Sequence, residues 1–296
     1  MSFDTKHLRN VVLLGHSGSG KTLFVESMLF ESGAINRRGT IEGQNTASDY
    51  TKIEQERGNS LFSSLMHVEW RGNKINIIDT PGSDDFVGEV ISSLKVSDTA
   101  LMIVNAANGV EVGTELLWEY IEKFGTPCLF VVNQLDHDKA NFDNTLEQIK
   151  SRFGPKVIPF QYPLQTGSGF NTIVDALRMV MYVFPKDGGK PEKKPIPESE
   201  VGRAQAMHQV LVEAAAENDE SLMEKFFDEG NLSEAELTQG LNIALAHQQI
   251  FPVFCASGKL NMGSGRIMGF INDIGPSPAD RPQPLSTKGD PIAPDP

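Results

Sequence analysis

The chain has 296 residues, enough for one large domain or two ordinary ones, with 39% hydrophobic and 22% charged residues, ordinary values for a globular protein. Its 26 basic and 39 acidic residues give a formal net charge of −13, which excludes nucleic-acid binding through the overall field and leaves room only for local contacts. No apolar run reaches the length of a bilayer span, and the opening MSFDTKHLRN lacks an apolar stretch followed by a small-residue cleavage site, so neither a membrane nor a secretory signal is expected.

In chain order, the apolar run 11–14 reads as a buried strand, and Leu23, Phe24, Met28 and Leu29 follow at helical spacing. Residues 33–60 are polar and Gly-bearing and read as a long mobile loop, a length that is usually functional or disordered. Strands follow at 61–70 and 74–79, with Arg71-Gly72-Asn73 as the hairpin turn. Buried strands at 100–104 and 128–132 alternate with amphipathic helices near 86–95 and 111–124, which implies a largely parallel sheet. Cys128 and Cys255 sit in such apolar runs without metal-ligand spacing and read as buried thiols of a reducing cytoplasm.

That rhythm breaks at 155–198, where 156–162 and 173–184 are strand-like and 185–197 is a Pro/Gly/Lys run, so an inserted α+β subdomain is expected over 155–248. Its helices carry Ala204, Met207, Leu211 and Ala214 on one face, then Leu222, Phe226 and Phe227, then a helix announced by the capping-box spacing of Ser233 and Glu236. Twelve acidic against four basic residues over 191–240 suit solvated helix faces or a docking surface for a basic partner. The main sheet resumes at 250–255 and a helix near 264–273 closes it. The expected division is therefore 1–154 with 249–275 as one domain, 155–248 as the insertion, and 276–296, where prolines accumulate, as a linker.

The chemistry lies at strand ends. Gly15-His16-Ser17-Gly18-Ser19-Gly20-Lys21-Thr22 is a G-x-x-x-x-G-K-[ST] phosphate loop between a strand and a helix. There Lys21 is expected to reach the outer phosphates and Thr22 to ligate magnesium; a Gly/Ser turn with a surface lysine is the plainer reading of the octapeptide alone. Asp79-Thr80-Pro81-Gly82 ends the 74–79 strand, where Asp79 would sit beside the magnesium and Gly82 N–H would sense the terminal phosphate, although D-T-P-G is also a common strand-exit turn. Asn133-Gln134-Leu135-Asp136 resembles the N-K-x-D base-recognition sequence, with Asp136 accepting from guanine N1–H and its 2-amino group; by itself it is a capped helix start. Ser257 and Gly258, after the 250–255 strand, stand where backbone donors meet guanine O6.

With these four elements in order, the chain resembles the translational GTPases, in particular the amino-terminal GTP-binding domain of bacterial elongation factor G and its paralogues. Gln55-Glu56-Arg57-Gly58, Gly109-Val110-Glu111, the stretch Leu211 to Glu217 and Ser277-Pro278 extend the likeness over nearly the whole chain. The resemblance implies an α/β phosphate-loop NTPase fold, GTP or GDP with Mg²⁺ as ligands, Thr22, Ser60 and Asp79 around the metal, and a monomer. It also implies the ribosome as partner, through large-subunit RNA and stalk proteins, and four further domains beyond this chain.

Departures from the pattern bear on turnover. Family members carry His after D-T-P-G, where Ser83 stands here; serine is too short and lacks a basic nitrogen, so hydrolysis is expected to be weak or absent. Ser60 replaces Thr, Asn59 and Leu61 stand where the family prefers Ile as a fence around the catalytic residue, Gln134 replaces a Lys whose stem covers the base, and Gly18 replaces an Asp associated with a monovalent ion. His16 is a replacement base only on position, since family members carry it alongside the catalytic His; His67 and His137 read as surface or satisfied side chains. The alternatives are an ordinary ribosome-stimulated GTPase, a ribosome-protection or recycling factor, and an ATPase or nucleotide kinase should N-Q-L-D be accidental.

Overall fold

Four consecutive fully buried residues, Val11 to Leu14, form the C-terminal part of β1 (Leu8–Leu14), the pattern of a strand covered there on both faces. The structure, a computed structural model, describes residues 3–186, 188–283 and 285–292. α1 (Lys21–Glu31) follows the phosphate loop, and α2 (Lys52–Arg57) lies within the stretch read as an irregular loop. Thr51 and Glu54 start α2 as a capping box and Gly58, at φ +64°, ends it.

β2 (Ser64–Trp70) and β3 (Asn73–Asp79) form a hairpin with Arg71 and Gly72 as its two turn residues. Both turn residues have positive φ, 49° and 89°, which suits the right-handed twist of the strands. α3 (Val87–Lys95), β4 (Thr99–Asn105), α4 (Val112–Phe124), β5 (Cys128–Asn133) and α5 (Phe142–Phe153) continue the alternation. α5 was not foreseen, although Phe142, Leu146, Ile149 and Phe153 bury one helical face.

The stretch 156–162, expected as one strand, divides into β6 (Val157–Pro159) and β7 (Gln161–Pro163), which belong to different sheets. β6 pairs in parallel with the returning strand at 251–253, so part of the expected insertion is an edge of the main sheet. The stretch 173–184 likewise divides, into β8 (Thr172–Asp175) and β9 (Val180–Val183), around Met179 at φ +50°. β10 (Glu192–Lys194) lies in the Pro/Gly/Lys run and completes an antiparallel sheet in the order β10-β9-β8-β7. α6 (Glu198–Ala216), α7 (Glu220–Glu229), α8 (Glu234–Ala246), β11 (Phe251–Cys255) and α9 (Ser264–Asp273) finish the series.

The result is an α/β fold whose seven-stranded sheet runs β2-β3-β1-β4-β5-β11-β6, with only β2 antiparallel. α1, α9 and α6 to α8 contribute to the core on one face; α3, α4, α5 and the small sheet contribute to that on the other. Cys128 and Cys255 are free and buried. Part of the expected linker packs: Arg281 donates to Gly125 O (2.9 Å), while Pro284 and 293–296 lie outside the described residues. Among the described residues no helix is long and apolar enough to cross a membrane. The parallel strands bring their C-terminal ends to one edge, where open α/β sheets hold ligands.

Candidate functional site

The 15–22 loop, expected to bind phosphate, owes its shape to glycines. Gly15, Gly18 and Gly20 have φ of 152°, 80° and 89°, and a Cβ on Gly20 would lie 2.6 Å from Asn133 Nδ2. Ser19 is buried, whereas Ser17 and Gly18 face outward at the start of α1. Lys21, 7% exposed, folds back to donate to Gly15 O (2.7 Å) and His16 O (3.4 Å). Burial lowers its ammonium to about 8, tempered by the charges of Asp79 and Asp49. The D-T-P-G turn approaches this loop closely: a Cβ on Gly82 would lie 2.5 Å from Lys21 Nζ and 2.9 Å from Ser17 N, so no larger residue fits.

On the other side of Lys21, Thr22 donates to Asp79 Oδ2 (3.0 Å) and lies 3.4 Å from Ser60 Oγ. Asp79 is buried at the end of β3, and desolvation raises its carboxyl to about 6 against the pull of Lys21 and the Thr22 hydroxyl. Two hydroxyls and a carboxylate form an all-oxygen set, the chemistry of a hard cation that keeps several waters. Asp49, which carries no motif signal, accepts from Ser60 Oγ (2.6 Å) and is itself raised, chiefly by burial. Glu54 was also missed: its Oε1 accepts from Leu61 N–H (3.0 Å) and Phe62 N–H (3.1 Å), anchoring the segment that delivers Ser60. The Thr51-to-Glu54 capping spacing was the available signal.

The base side is organised by Asn133, 1% exposed at the end of β5. Its Nδ2 donates to Ser19 O (2.9 Å) and its Oδ1 accepts from Gly258 N–H (2.9 Å), tying the phosphate loop to the turn after β11. Gln134, at φ 61°, spans from Gly18 O (2.8 Å from Nε2) to the amide of Asn105, which donates to it at 3.0 Å. Asp136 Oδ1 accepts from Ser257 Oγ (2.7 Å), and Ser257 Oγ in turn accepts from Leu260 N–H (3.1 Å).

A cleft with a volume of about 660 Å³ is bordered by the 15–22 loop, Ser60, Gly82, Ser83 and Gln134, whereas Asn133, Asp136, Ser257 and Gly258 are not among its lining residues. Ser83 is exposed, and its hydroxyl donates to Asp85 Oδ2 at the long distance of 3.4 Å. His16 turns toward the start of α4, with Nε2 3.8 Å from Glu111 Oε1. His67 lies on β2, and His137 Nδ1 accepts from Lys139 N–H (3.2 Å) on the surface.

A family model described as the elongation factor Tu GTP binding domain matches residues 6–277. An elongation factor G-like protein of Thermotoga maritima is 34% identical over 277 residues, covering 94% of this chain and 39% of its own length. Elongation factor G of Mycoplasma pneumoniae is 35% identical over 283 residues, covering 95% and 41% respectively. A crystal structure of a Thermus thermophilus protein superposes with a TM-score of 0.87 at 32% identity, over 94% of this chain and 41% of that one. The chain thus spans about two fifths of the length of these relatives.

Proposed function

The chain belongs to the elongation factor Tu GTP binding domain family, and from that premise we propose that it is the GTP-binding part of an elongation factor G-like ribosomal factor in which hydrolysis is weak or absent. The observation that carries the binding reading is Asn133, whose two hydrogen bonds unite the phosphate loop with the Ser257-Gly258 turn. In this reading the amides from Gly15 to Thr22 and the Lys21 ammonium hold the phosphates, and Asp136 reads the guanine edge while Ser257 fixes its orientation. Thr22, Ser60 and Asp79 would hold magnesium, which neutralises phosphate charge when bound. Gly82 N–H would sense the terminal phosphate, and Gln134 lies across the loop.

Ser83 is the reason for assigning weak hydrolysis. An exposed hydroxyl beside Asp85 has no basic nitrogen with which to orient or deprotonate a water, so binding rather than cleavage would organise residues 33–60. The elongation-factor names of the Thermotoga and Mycoplasma relatives support a role in translation, and from that role we infer a ribosomal partner in the cytoplasm, met through large-subunit RNA and stalk proteins. Within the expected insertion 155–248, the part that follows β6 is proposed as the subdomain that meets the stalk. Calorimetric titration with GTP, GDP and ADP in magnesium, followed by single-turnover hydrolysis with ribosomes, tests the proposal. Guanine-selective binding with slow cleavage supports it; fast cleavage by the unaltered chain overturns its second half.

A further inference from the structure

Two side chains that belong to no nucleotide motif, Glu26 on α1 and Arg38 between α1 and α2, fasten this region. Glu26, four residues beyond Thr22 on α1 and 2% exposed, accepts from Gly39 N–H (2.6 Å) and from Ala47 N–H, so one buried carboxylate gathers both ends of the 39–47 loop. The adjoining Arg38 reaches out of its own segment. Its Nη1 donates to Gly258 O (3.0 Å) and Lys259 O (2.9 Å), and lies 3.4 Å from Ser27 Oγ, whose hydroxyl donates to the same Gly258 O at 2.6 Å.

A planar peptide points its N–H opposite its C=O. The grip of Arg38 and Ser27 on Gly258 O therefore sets the direction of the Lys259 N–H, while Asn133 fixes the Gly258 N–H on the preceding peptide. We propose that Arg38 is a positioning residue for purine recognition, aiming the Lys259 N–H at the O6 carbonyl of a guanine nucleotide and linking that turn to the segment ahead of α2. This rests on the guanine-nucleotide reading above. Arg38 carries no sequence signal, because the two carbonyls it binds are more than 200 positions away and it sits in a polar stretch without a motif.

The test is equilibrium titration of the chain, Arg38→Met and Arg38→Lys with GDP and with 6-thioguanosine diphosphate, which keeps N1–H and the 2-amino group but has a poor acceptor at position 6. Loss of a charge-assisted contact that positions one acceptor predicts about tenfold weaker GDP binding by Arg38→Met and less than about threefold weaker binding of the thio analogue. Arg38→Lys, able to reach one carbonyl, stays within about threefold of the parent for GDP. Equal losses for both ligands, or an unchanged GDP affinity in Arg38→Met, overturn the proposal. Failure of the unaltered chain to bind GDP instead overturns the nucleotide reading on which it rests.

Discussion

Replacing Ser83 with His tests the reason given for slow turnover. The backbone at Ser83 is extended, φ −88° and ψ 138°, so an imidazole imposes no strain there. A neighbouring cavity of about 180 Å³, bordered by Pro81, Val87, Leu116 and Tyr120, leaves room for the ring. A positioned acid–base group contributes ~10²- to 10⁴-fold, about 3 to 5 kcal/mol of barrier. The neighbouring Asp84 and Asp85 favour the imidazolium, so if the neutral ring acts, the gain lies toward the lower bound near neutrality and grows between roughly pH 6 and 8. Single-turnover hydrolysis of GTP, with and without ribosomes, measures it. Ser83→His is expected to exceed the parent by ~10²-fold or more, with Ser83→Ala equal to the parent. A parent already as fast as Ser83→His, or a Ser83→Ala much slower than the parent, would refute the reasoning, because catalysis would then not be limited by that missing nitrogen.

Asp136→Asn is expected to weaken GDP binding by ~10²-fold or more and to shift preference toward xanthosine diphosphate, measured by competition titration; indifference means that Asp136 does not read the base. Burial sets Lys21 near 8 in the nucleotide-free chain, and a bound phosphate raises it, so GDP affinity is expected to fall as pH rises above about 8; a flat profile to about pH 9.5 contradicts this assignment. Burial, opposed by Asn10 N–H at 3.0 Å, also raises the Asp98 carboxyl to about 6. Its folded value lies above its unfolded one, so the stability it contributes is present below about pH 4 and lost as pH rises through 6. Asp98→Asn keeps an acceptor for Asn10, and above about pH 6 it should stabilise the fold by about 2 kcal/mol in thermal denaturation, with no gain at about pH 4; a loss at about pH 7.5 refutes this.

What was legible in the chain follows from range. The Gly-rich turn at 15–22 between a strand and a helix, the Arg71-Gly72 turn and the Ser233 capping box are contiguous patterns whose geometry is local, and as turns and caps they form where expected. The parallel sheet was readable because its strands are continuous apolar runs. β6 and β7 were merged because Phe160 is as apolar as its neighbours, and only pairing with β11 on one side and β8 on the other separates them. The same limit applied at the site. Asp49, Glu54, Glu26 and Arg38 act through carbonyls, amides and hydroxyls brought near by folding, and in the chain they are ordinary charges in a polar stretch.

The central claim is that this sheet edge holds a guanine nucleotide, and calorimetric titration of the chain with GDP and ADP in magnesium tests it most directly. The geometry predicts one GDP site and ADP binding weaker by ~10³-fold or more, since adenine lacks the donors that Asp136 accepts. Comparable affinities for the two, or binding of neither, would contradict it.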